Sequence, residues 1–554
     1  MKKFLIYTIT IAGLSFIMTG CSEDFLEKTP IGAETNNTFY ATEENCEMAV
    51  TAAYAVLITR GGFSRNYWAF GDVASDDSEA AGERGGGDQP NCQRIDQLLT
   101  VPGNLYLSEF YNDIYQGIFR CNVAMENIPQ GEFNQGKKDR LVAEARFLRA
   151  FFHFSLNNVF GGVRIVDNVL LPEEYLGARN TVAEVLHFIQ DDMAVAASVL
   201  PATYPSTDQG RASKGAALGY QLKALVFESS YAQLAATGND PANYFEGCTE
   251  KWDEAVSVFN AIEDLGVHEL EPNYADLWPV YGETSSEHMF TGHSVSLQAG
   301  SGIEDINNRI LGGVQCVYQS CRSYYDTAGV VVPNGRAGLY GLNAPTFDLR
   351  DEFEIDDPRF DISFTLENEP IPVVVGSGTN TYIDTLPAAP SYASPTSLNN
   401  QKYDPFPWEW LDPVKHFGPR DLKFLRYADV ILLGAEAAFH DGNTTLALEL
   451  VNRIRTRARN SGITDEPADL GSVTLDAIRH ERRVELALEA HRYFDIVRWG
   501  IAKKKLDGSY RQTDLIANPD ASPLIWTEGK HEFFPIPGSE ITLNQGLMAQ
   551  NPGY

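Results

Sequence analysis

The chain has 554 residues, of which 44% are hydrophobic and 21% charged, a composition typical of globular proteins and unlike that of disordered ones. Its 43 basic and 75 acidic residues give a formal charge of −32, and a surface this acidic repels nucleic acids and anionic lipids. The composition therefore argues against a nucleic-acid-binding protein and favours neutral or cationic ligands.

The first 21 residues, MKKFLIYTITIAGLSFIMTGC, are typical of an export signal. Two lysines precede an apolar run from Phe4 to Met18 that is too short to span a membrane as a mature helix. Small residues then precede Cys21, which resembles a bacterial lipobox: residues 1–20 are removed, and the thiol of Cys21 takes lipid. The acidic residues after Cys21 resemble the tag of Bacteroidota lipoproteins that are carried to the cell surface. Ordinary secretion remains the alternative.

Helical patterns dominate the mature chain. Thr181 and Glu184 form a predicted capping box, and Pro201 follows the end of the same helix. Small and aromatic residues in 251–266 and 447–458 have the spacing of tetratricopeptide-like helical hairpins, although the repeat is degenerate. We predict helices at residues 42–59, 105–128, 138–159, 181–199, 213–236, 250–264, 421–440, 444–459 and 474–499.

The last predicted helix contains the most charged stretch, ERRVELALEAHRYFDIVRWG, residues 481–500. Opposite charges lie three positions apart, as at Arg482 and Glu485, Glu489 and Arg492, and Asp495 and Arg498, the spacing at which helical neighbours meet. An apolar stripe follows the core-facing rhythm. We interpret the stretch as a packed scaffold helix with ion pairs along one face, and not as a catalytic cluster.

Three irregular stretches interrupt the helices, at 61–100, about 267–420 and 500–550, and all are rich in Gly, Pro, Asn and aromatic residues. Their length exceeds that of normal connections in a compact domain. Binding residues are found disproportionately in such loops. The predicted fold is therefore mostly α, a scaffold of tetratricopeptide-like helical pairs whose long irregular loops carry the ligand site.

No metal or cofactor site is predicted. The six cysteines after Cys21 include no Cys-x-x-Cys pair, although Cys316 and Cys321 are close enough for a disulfide, with two buried thiols as the alternative. The acidic run at 76–79 lacks the order of a calcium loop, so we expect a solvated face there. His288 and His293 form only a weak metal pair.

Several segments, in order, resemble the SusD/RagB family of outer-membrane nutrient-binding lipoproteins. Residues 481–500 resemble the family's C-terminal signature, and FLRYADVILLGAEA (424–437) and LVNRIRTRA (450–458) resemble the two helices before it. The other similar segments are FYNDIYQGIFRCNVAMENIP (110–129), AEARFLRAFFHFSLNNVFGGV (143–163), GRASKGAALGYQLKAL (210–225), APTFDLRDEFEIDDPRF (344–360) and FFPIPGSEITLNQGLMAQNPGY (533–554).

The resemblance covers effectively the whole mature chain. It implies one body from 21 to 554, with an N-terminal half at 22–236 and a C-terminal half at 267–554. It also implies a protein that is not an enzyme. Such a protein would bind oligosaccharides at the cell surface and deliver them, as a lid, to a partner TonB-dependent SusC-like transporter in the outer membrane.

By the family's layout, the loop at 65–94 and another loop past the middle of the chain form the glycan face. Sugar binding needs flat apolar surfaces and a few polar groups that fix the hydroxyls. The alternative for the aromatic residues of the first loop is packing beneath it, and for its aspartates the capping of turns. The first loop supplies the candidates Tyr67, Trp68, Asp72, Asp76, Arg84, Asn91 and Arg94.

The second loop region supplies further aromatic candidates, each of which has a core position as its alternative. Tyr324 and Tyr325 are adjacent, so at most one of them faces a given ligand if the segment is extended. Trp408 and Trp410 alternate around Glu409 as on a strand. The candidates of the second region are Trp278, Tyr281, Tyr318, Tyr324, Tyr325 and Tyr340.

Two other functions remain open from the residues alone. One is a cell-surface glycoside hydrolase, which would need an acid and a second carboxylate a few ångströms apart. The other is a helical-repeat protein that binds a peptide or protein in a groove of the repeats. No nucleotide-binding loop, zinc-protease motif or serine-nucleophile motif is present.

Overall fold

The structure is a computed structural model that describes residues 36–85, 87–294, 315–319, 324–325, 331–332, 340–366, 370–375, 380–385, 394–403 and 420–554. The signal segment, Cys21, Cys321, Trp408 and Trp410 lie outside these residues. Cys316 is buried, and because Cys321 lies outside the described residues, both alternatives, a disulfide and two thiols, remain predictions.

Helices form most of the described chain, as predicted. The longer ones are α2 Glu43–Tyr54, α4 Leu105–Asn127, α5 Gln135–Phe160, α6 Val182–Val199, α7 Lys214–Ala236, α8 Trp252–Glu263, α12 Tyr427–His440, α13 Thr444–Asn460 and α14 Leu475–Glu485. The short ones are α1 Asn36–Phe39, α3 Pro90–Asp96, α9 Gln315–Gln319, α10 Phe347–Arg350, α11 Arg359–Ser363, α15 Arg492–Arg498, α16 Ala502–Leu506, α17 Gln512–Ala517 and α18 Gly538–Leu543.

Sequence neighbours among the long helices pack against each other, from α4 to α8, and again at α12 with α13. The predicted capping box at α6 is confirmed: the Thr181 amide donates to Glu184 over 2.8 Å, and the Glu184 amide donates to Thr181 Oγ1 over 3.2 Å. One large apolar core joins these helices to the C-terminal segments. The prediction of a mostly helical scaffold of packed pairs is confirmed.

The described strands form short antiparallel pairs. The pairs are β1 Ser78–Glu79 with β5 Ala344–Pro345, β2 His288–Gly292 with β10 Leu422–Arg426, β3 Tyr324–Tyr325 with β4 Val331–Val332, β6 Phe364–Leu366 with β9 Leu398–Asn400, and β7 Pro370–Val375 with β8 Asn380–Thr385. The predicted helix at 421–440 is wrong in its first six residues. All five residues of β10 are buried, so neither the strand nor the helix period is visible in their sequence.

The predicted helix at 474–499 is also wrong in the middle. It divides into α14 and α15, and in the turn between them Leu488 and Ala490 have φ of 61° and 63°. Gly71 explains why the turn fits here, because a Cβ at Gly71 would lie 2.3 Å from the backbone oxygen of Ala490. Only glycine permits this approach of the two backbone segments.

The charges of residues 481–498 are buried and reach distant partners. Of the three predicted pairs, only that of Asp495 with Arg498 forms among the described residues, over 2.9 Å. The stretch packs as scaffold, as interpreted, but the prediction of one helix with ion pairs along one face is wrong, because the stretch forms two helices and its arginines pair with other segments. Three arginines and four glutamates from five segments meet in what we call the charged interior: Glu287, Arg359, Arg426, Arg457, Glu481, Glu485 and Glu489.

Candidate functional site

The start of the first candidate loop is folded into the interior. Residues Arg60–Tyr67 and Ala69–Val73 form two wide helical turns beneath α4 and the C-terminal helices. Tyr67 packs between Phe110 and Phe494, with ring centroids 5.7 and 5.6 Å away, and Trp68 is 3% exposed. Both residues therefore pack beneath the loop, which was the alternative considered from the sequence. Their assignment to the glycan face is corrected.

Asp72 and Asp76 are buried as well. Asp72 accepts hydrogen bonds from the Ala490 amide over 2.9 Å and from Asn343 over 3.1 Å, and burial raises its pKa to about 8. Asp76 receives two hydrogen bonds of 2.8 Å from Arg492. Burial opposes its ionisation, but Arg492 and Arg483 hold the pKa of Asp76 below its usual range. Both aspartates therefore tie segments of the fold together.

The acidic run at 76–79 is neither a calcium loop nor the solvated face we expected. Asp77 accepts from Arg483 over 2.7 Å, and Glu79 accepts from the amide and hydroxyl of Thr513 over 2.9 and 3.0 Å. Burial, followed by the charge of Asp96, raises the pKa of Glu79 to about 7. The expectation of a solvated face is wrong because Arg483 of α14 pairs with Asp77 and Arg492 of α15 pairs with Asp76.

The later residues of the loop lie nearer the surface. Arg84 pairs with Asp514 over 2.6 Å and with Asp96, which leaves its side chain 9% exposed. The Asn91 side chain accepts from the Leu105 amide over 3.3 Å and so helps to fix the start of α4. Arg94 is exposed. Asn91 and Arg94 remain candidates, whereas Arg84 is held in a structural pair.

The second candidate region is divided between core and surface. Trp278 is 3% exposed, packs edge-on against Tyr274 at 5.6 Å and lies beneath the ammonium group of Lys402 at 4.5 Å, so it belongs to the core. Tyr281 lies in a tight helical turn, and Tyr324 and Tyr325 form β3; the side chains of these three are outside what the structure describes. Their assignment stays a prediction.

Tyr318 is the predicted residue that contacts two half-buried residues, Tyr340 and Arg60. Its ring stacks on that of Tyr340, with centroids 5.2 Å apart and planes inclined by 15°. Arg60 donates from Nη2 to the Tyr318 hydroxyl over 2.9 Å. Tyr318 is 5% exposed and belongs to the apolar core, whereas Tyr340 and Arg60 are half-buried, so Tyr340 is the ring of the stacked pair that reaches solvent.

A second arginine lies beside this pair. Arg65 forms an ion pair with Glu109 and stacks its guanidinium 4.9 Å from the ring centroid of Tyr106. Arg60 and Arg65 lie in the same wide helical turn, Arg60–Tyr67, which places Arg65 near the hydrogen bond from Arg60 to Tyr318. We call this cluster the Arg60–Tyr340 face, and it consists of the half-buried Arg60, Glu109 and Tyr340 with the buried Arg65 and Tyr318.

The chemistry of this face suits a ligand with both apolar and hydroxyl surfaces. A flat aromatic ring can carry the C–H side of a sugar, and a guanidinium can donate to its hydroxyls. The Nε of Arg60 is buried and makes no hydrogen bond with any residue that the structure describes. Sequence reasoning omitted Arg60 and Arg65; the available signal was their position on either side of Gly61-Gly62, at the end of a predicted helix.

Two family models match the chain. The model of the SusD family matches residues 344–554, and the model described as starch-binding associating with outer membrane matches residues 24–223. The chain belongs to the SusD/RagB family. The predicted family is confirmed in both halves of the sequence.

Alignments with members of the SusD/RagB family cover most of the chain. A SusD-like protein of Bacteroides ovatus is 27% identical over 508 residues, which cover 89% of this chain and 82% of that protein. A solved laminarin-binding SusD-like protein has a TM-score of 0.70 at 23% identity and covers 93% of this chain and 100% of its own. Surface glycan-binding protein A of Bacteroides thetaiotaomicron, solved with laminarihexaose, has a TM-score of 0.70 at 18% identity, over 92% and 99%. These likenesses establish the fold.

The SusD-like relatives are described as binding proteins and not as enzymes, in agreement with the expectation that this chain is not an enzyme. Within the described ranges, no helix has the length and apolar character needed to cross a membrane. Nor do the described His, Cys, Asp and Glu side chains form a group of three that could hold a metal ion.

Proposed function

We propose that this SusD-like chain binds oligosaccharides at the cell surface without chemical change and delivers them to a TonB-dependent SusC-like transporter for import. The observation that carries the proposal is the Arg60–Tyr340 face, in which the half-buried Tyr340 and Arg60 of a SusD-like fold are both held by the buried Tyr318. Its aromatic surface suits pyranose rings, and its guanidinium groups suit their hydroxyls.

The known ligands of relatives give the first oligosaccharides to test. A laminarin-binding protein and a complex with laminarihexaose are among the solved relatives, so β-glucan oligosaccharides head a panel that also includes plant, host and microbial glycans. The acidic chain, with its formal charge of −32, favours neutral glycans over sulfated or uronate-rich ones because like charges repel.

The test is calorimetry of a soluble chain that starts after Cys21, with product analysis of each mixture. We expect binding heat with every oligosaccharide recovered intact. Tyr340→Ala and Arg60→Ala should each weaken binding at least about tenfold, because each removes a contact on the order of 1.4 kcal/mol or more. Tyr175→Ala is the matched control, since Tyr175 is 60% exposed at a different place on the surface.

Other results would redirect the assignment. Shortened oligosaccharides would make the chain a glycoside hydrolase, and an absence of both heat and cleavage would leave a peptide or protein ligand. Unchanged affinity in Tyr340→Ala and Arg60→Ala, with tight binding by the unaltered chain, would place the glycan elsewhere.

The membrane anchor and the partner are tested separately. Replacing the thiol in Cys21→Ser should release the protein from the outer membrane fraction, because lipidation at Cys21 is the proposed attachment. An anchored protein should also co-purify with a SusC-like barrel from detergent-dissolved membranes, and the absence of such a barrel would contradict the proposed partner. Retention of Cys21→Ser in the membrane, without a bound barrel, would contradict the anchor.

A further inference from the structure

A second concave site lies away from the Arg60–Tyr340 face. It is a groove of about 400 Å³ between the segment that precedes α7, within residues 202–213, and the turn and strand within residues 283–293. We call it the His288 groove. Its volume falls in the range of roughly 300–1,000 Å³ that is common for small-ligand sites.

Two glycines shape the walls of the groove. A Cβ at Gly210 would lie 1.9 Å from Cδ2 of His293, and a Cβ at Gly215 would lie 2.1 Å from Nε2 of His268. The two imidazoles therefore occupy space that any other residue at these positions would fill. Both glycines belong to GRASKG, the segment at 210–215 that leads into α7, so the helix entry is built around these histidine rings.

The rim of the groove offers unused hydrogen-bonding capacity. Its exposed polar side chains, which make no hydrogen bond with any part of the chain that the structure describes, are Thr203, Ser206, Gln209, Thr284 and Ser286. Tyr204, whose hydroxyl donates to the Ala212 carbonyl over 3.0 Å, adds a half-buried aromatic ring. Hydroxyl and amide groups around an aromatic ring suit a hydroxyl-rich ligand.

The charged groups of the groove neutralise one another. His293 pairs with Asp421 over 2.5 Å, and this contact raises the pKa of the imidazole. Arg211 pairs with Glu144 over 2.9 Å and with Asp208 over 3.4 Å. Burial, with the charge of Asp421, raises the pKa of Glu283 to about 7, so this carboxyl is largely protonated below that pH.

His288 is neutral at physiological pH. Burial, together with the positive charges of Lys423 and Arg426, lowers its pKa to about 2. Its ring nitrogens make no hydrogen bond with a described side chain. The groove thus presents the neutral hydroxyl and amide groups of its rim, while the His288 nitrogens are enclosed, and this setting does not attract an anion.

We infer that the His288 groove is a second carbohydrate subsite, which takes a neutral mono- or disaccharide unit. The class of ligand rests on the proposed function, but the site is a different one. Neighbouring residues join its wall to the Arg60–Tyr340 face: Asp421 pairs with His293, and the Arg420 carbonyl accepts from Gln315 over 2.5 Å, in the short helix α9 that carries Tyr318.

The test fills the groove without disturbing the core. Ser286→Trp places an indole on the exposed rim, and Ser472→Trp, at an exposed position of another loop, is its matched control. Saturation-transfer-difference NMR and calorimetry of the chain from residue 22 would be run with glucose, laminaribiose and laminarihexaose. We expect Ser286→Trp to lose the signals of glucose and laminaribiose at least tenfold, and Tyr340→Ala to retain them.

The outcomes separate this inference from the proposed function. Short sugars that bind Ser286→Trp as tightly as the unaltered chain would overturn the groove as a subsite, while binding of laminarihexaose that depends on Tyr340 would leave the proposed function in place. Loss of short-sugar binding in the Ser472→Trp control as well would also overturn the inference, because the effect would not belong to the groove. If no sugar of the panel bound the unaltered chain, both assignments would fail together.

Discussion

The N-terminal helices and the charged interior hold the fold together by different means. Helices α4 to α7 pack through apolar side chains, and Phe147, for example, is fully buried and meets Phe290 edge-on at 4.7 Å. In the charged interior, Arg426 alone meets Glu489 over 2.7 Å, Glu485 over 3.1 Å and Glu287. The first region tolerates small shifts because apolar contacts are not directional. The second requires every partner, because an unpaired buried charge is costly.

This difference has a consequence for how the binding surfaces are positioned. Glu287 belongs to the charged interior and immediately precedes His288 in β2, while Arg426 ends β10, the strand paired with β2. The ion pairs therefore hold the end of β2 at which His288 lies, whereas Phe147 of α5 packs against Phe290 further along the same strand. Each predicted substitution below tests one side of this comparison.

The largest effect is expected for Arg426→Ala. Three buried glutamates would lose a shared partner, and breaking a buried ion pair costs about 3–5 kcal/mol. We expect at least this loss in the free energy of unfolding measured with urea at pH 7. Lys503→Ala is the control, because the pair of Lys503 with Glu528 is solvent-exposed and its loss should leave unfolding unchanged.

The loss of stability at low pH should also differ between Arg426→Ala and the unaltered protein. Burial opposes ionisation, but Arg426 and Lys402 lower the pKa of Glu489 from 4.5 to about 2. A carboxyl with a lowered folded-state pKa stabilises the protein above the unfolded value and loses that contribution as the pH falls through the folded value. The intact protein should lose stability between about pH 4.5 and 2, and Arg426→Ala should lose less. An equal acid response in both proteins would contradict the role of Arg426.

Phe147→Ala tests the apolar side. Removal of a buried phenylalanine costs about 3–5 kcal/mol through lost burial and a residual cavity. The loss should be nearly the same at pH 4 and pH 7, since the ring contacts of Phe147 are with Phe290 and Tyr220. Urea unfolding at the two pH values measures this, and a loss that varied with pH as in Arg426→Ala would remove the distinction between the regions.

Asp72→Asn should change how the stability of the protein depends on pH between about pH 4 and pH 8. Burial raises the folded-state pKa of Asp72 from 3.8 to about 8. A raised pKa gives a contribution that is complete below the unfolded value and is lost as the pH rises through the folded value. The unaltered protein should therefore lose stability from about pH 4 to pH 8, by at most about 1.4 kcal/mol per pH unit from this one group. Asp72→Asn should flatten that slope, and thermal unfolding across the range measures it.

The smallest effect is expected for Thr181→Ala. Its hydroxyl accepts the Glu184 amide at the start of α6, and loss of such a cap costs about 1 kcal/mol. The free energy of unfolding should fall by this amount, without dependence on pH above 5. Glu184→Gln is the matched variant, since its amide oxygen can still accept the Thr181 amide. A loss as large as that of Phe147→Ala would show that α6 depends on its cap more than on its packing.

The sequence predicted those elements whose signals are local. The capping box at Thr181 and the apolar period of α4 to α7 depend on residues within a few positions of each other, and these helices form nearly as predicted. The strand Leu422–Arg426 escaped prediction because its partner, β2, is more than a hundred positions away. Burial on both of its faces removed the alternation by which strands are recognised.

The candidate site was predicted only in part for the same reason. Tyr318 was chosen as a loop aromatic, but its stacking on Tyr340 and its bond to Arg60 depend on contacts across as many as 258 positions. Asp72 and Asp76 looked like loop residues because their arginine and amide partners lie in the last quarter of the chain. Charge in a glycine-rich segment is ordinarily a sign of exposure, and only the tertiary structure shows these carboxylates to be enclosed.

The close approach of Gly71 to Ala490 bears on the order in which the molecule folds. The hydrogen bond from the Ala490 amide to Asp72 joins positions 418 residues apart, and the Asp76–Arg492 and Asp77–Arg483 pairs span similar distances. Contacts of such long sequence separation form slowly, because a large loop must close first. While the chain is being synthesised or crosses a membrane, residues 78–79 can pair with residues 344–345 first, but Asp76 and Asp77 have no arginine partner from α14 and α15 until more than four hundred further residues have emerged. Completion of this part of the core therefore waits until the C-terminal segments have emerged.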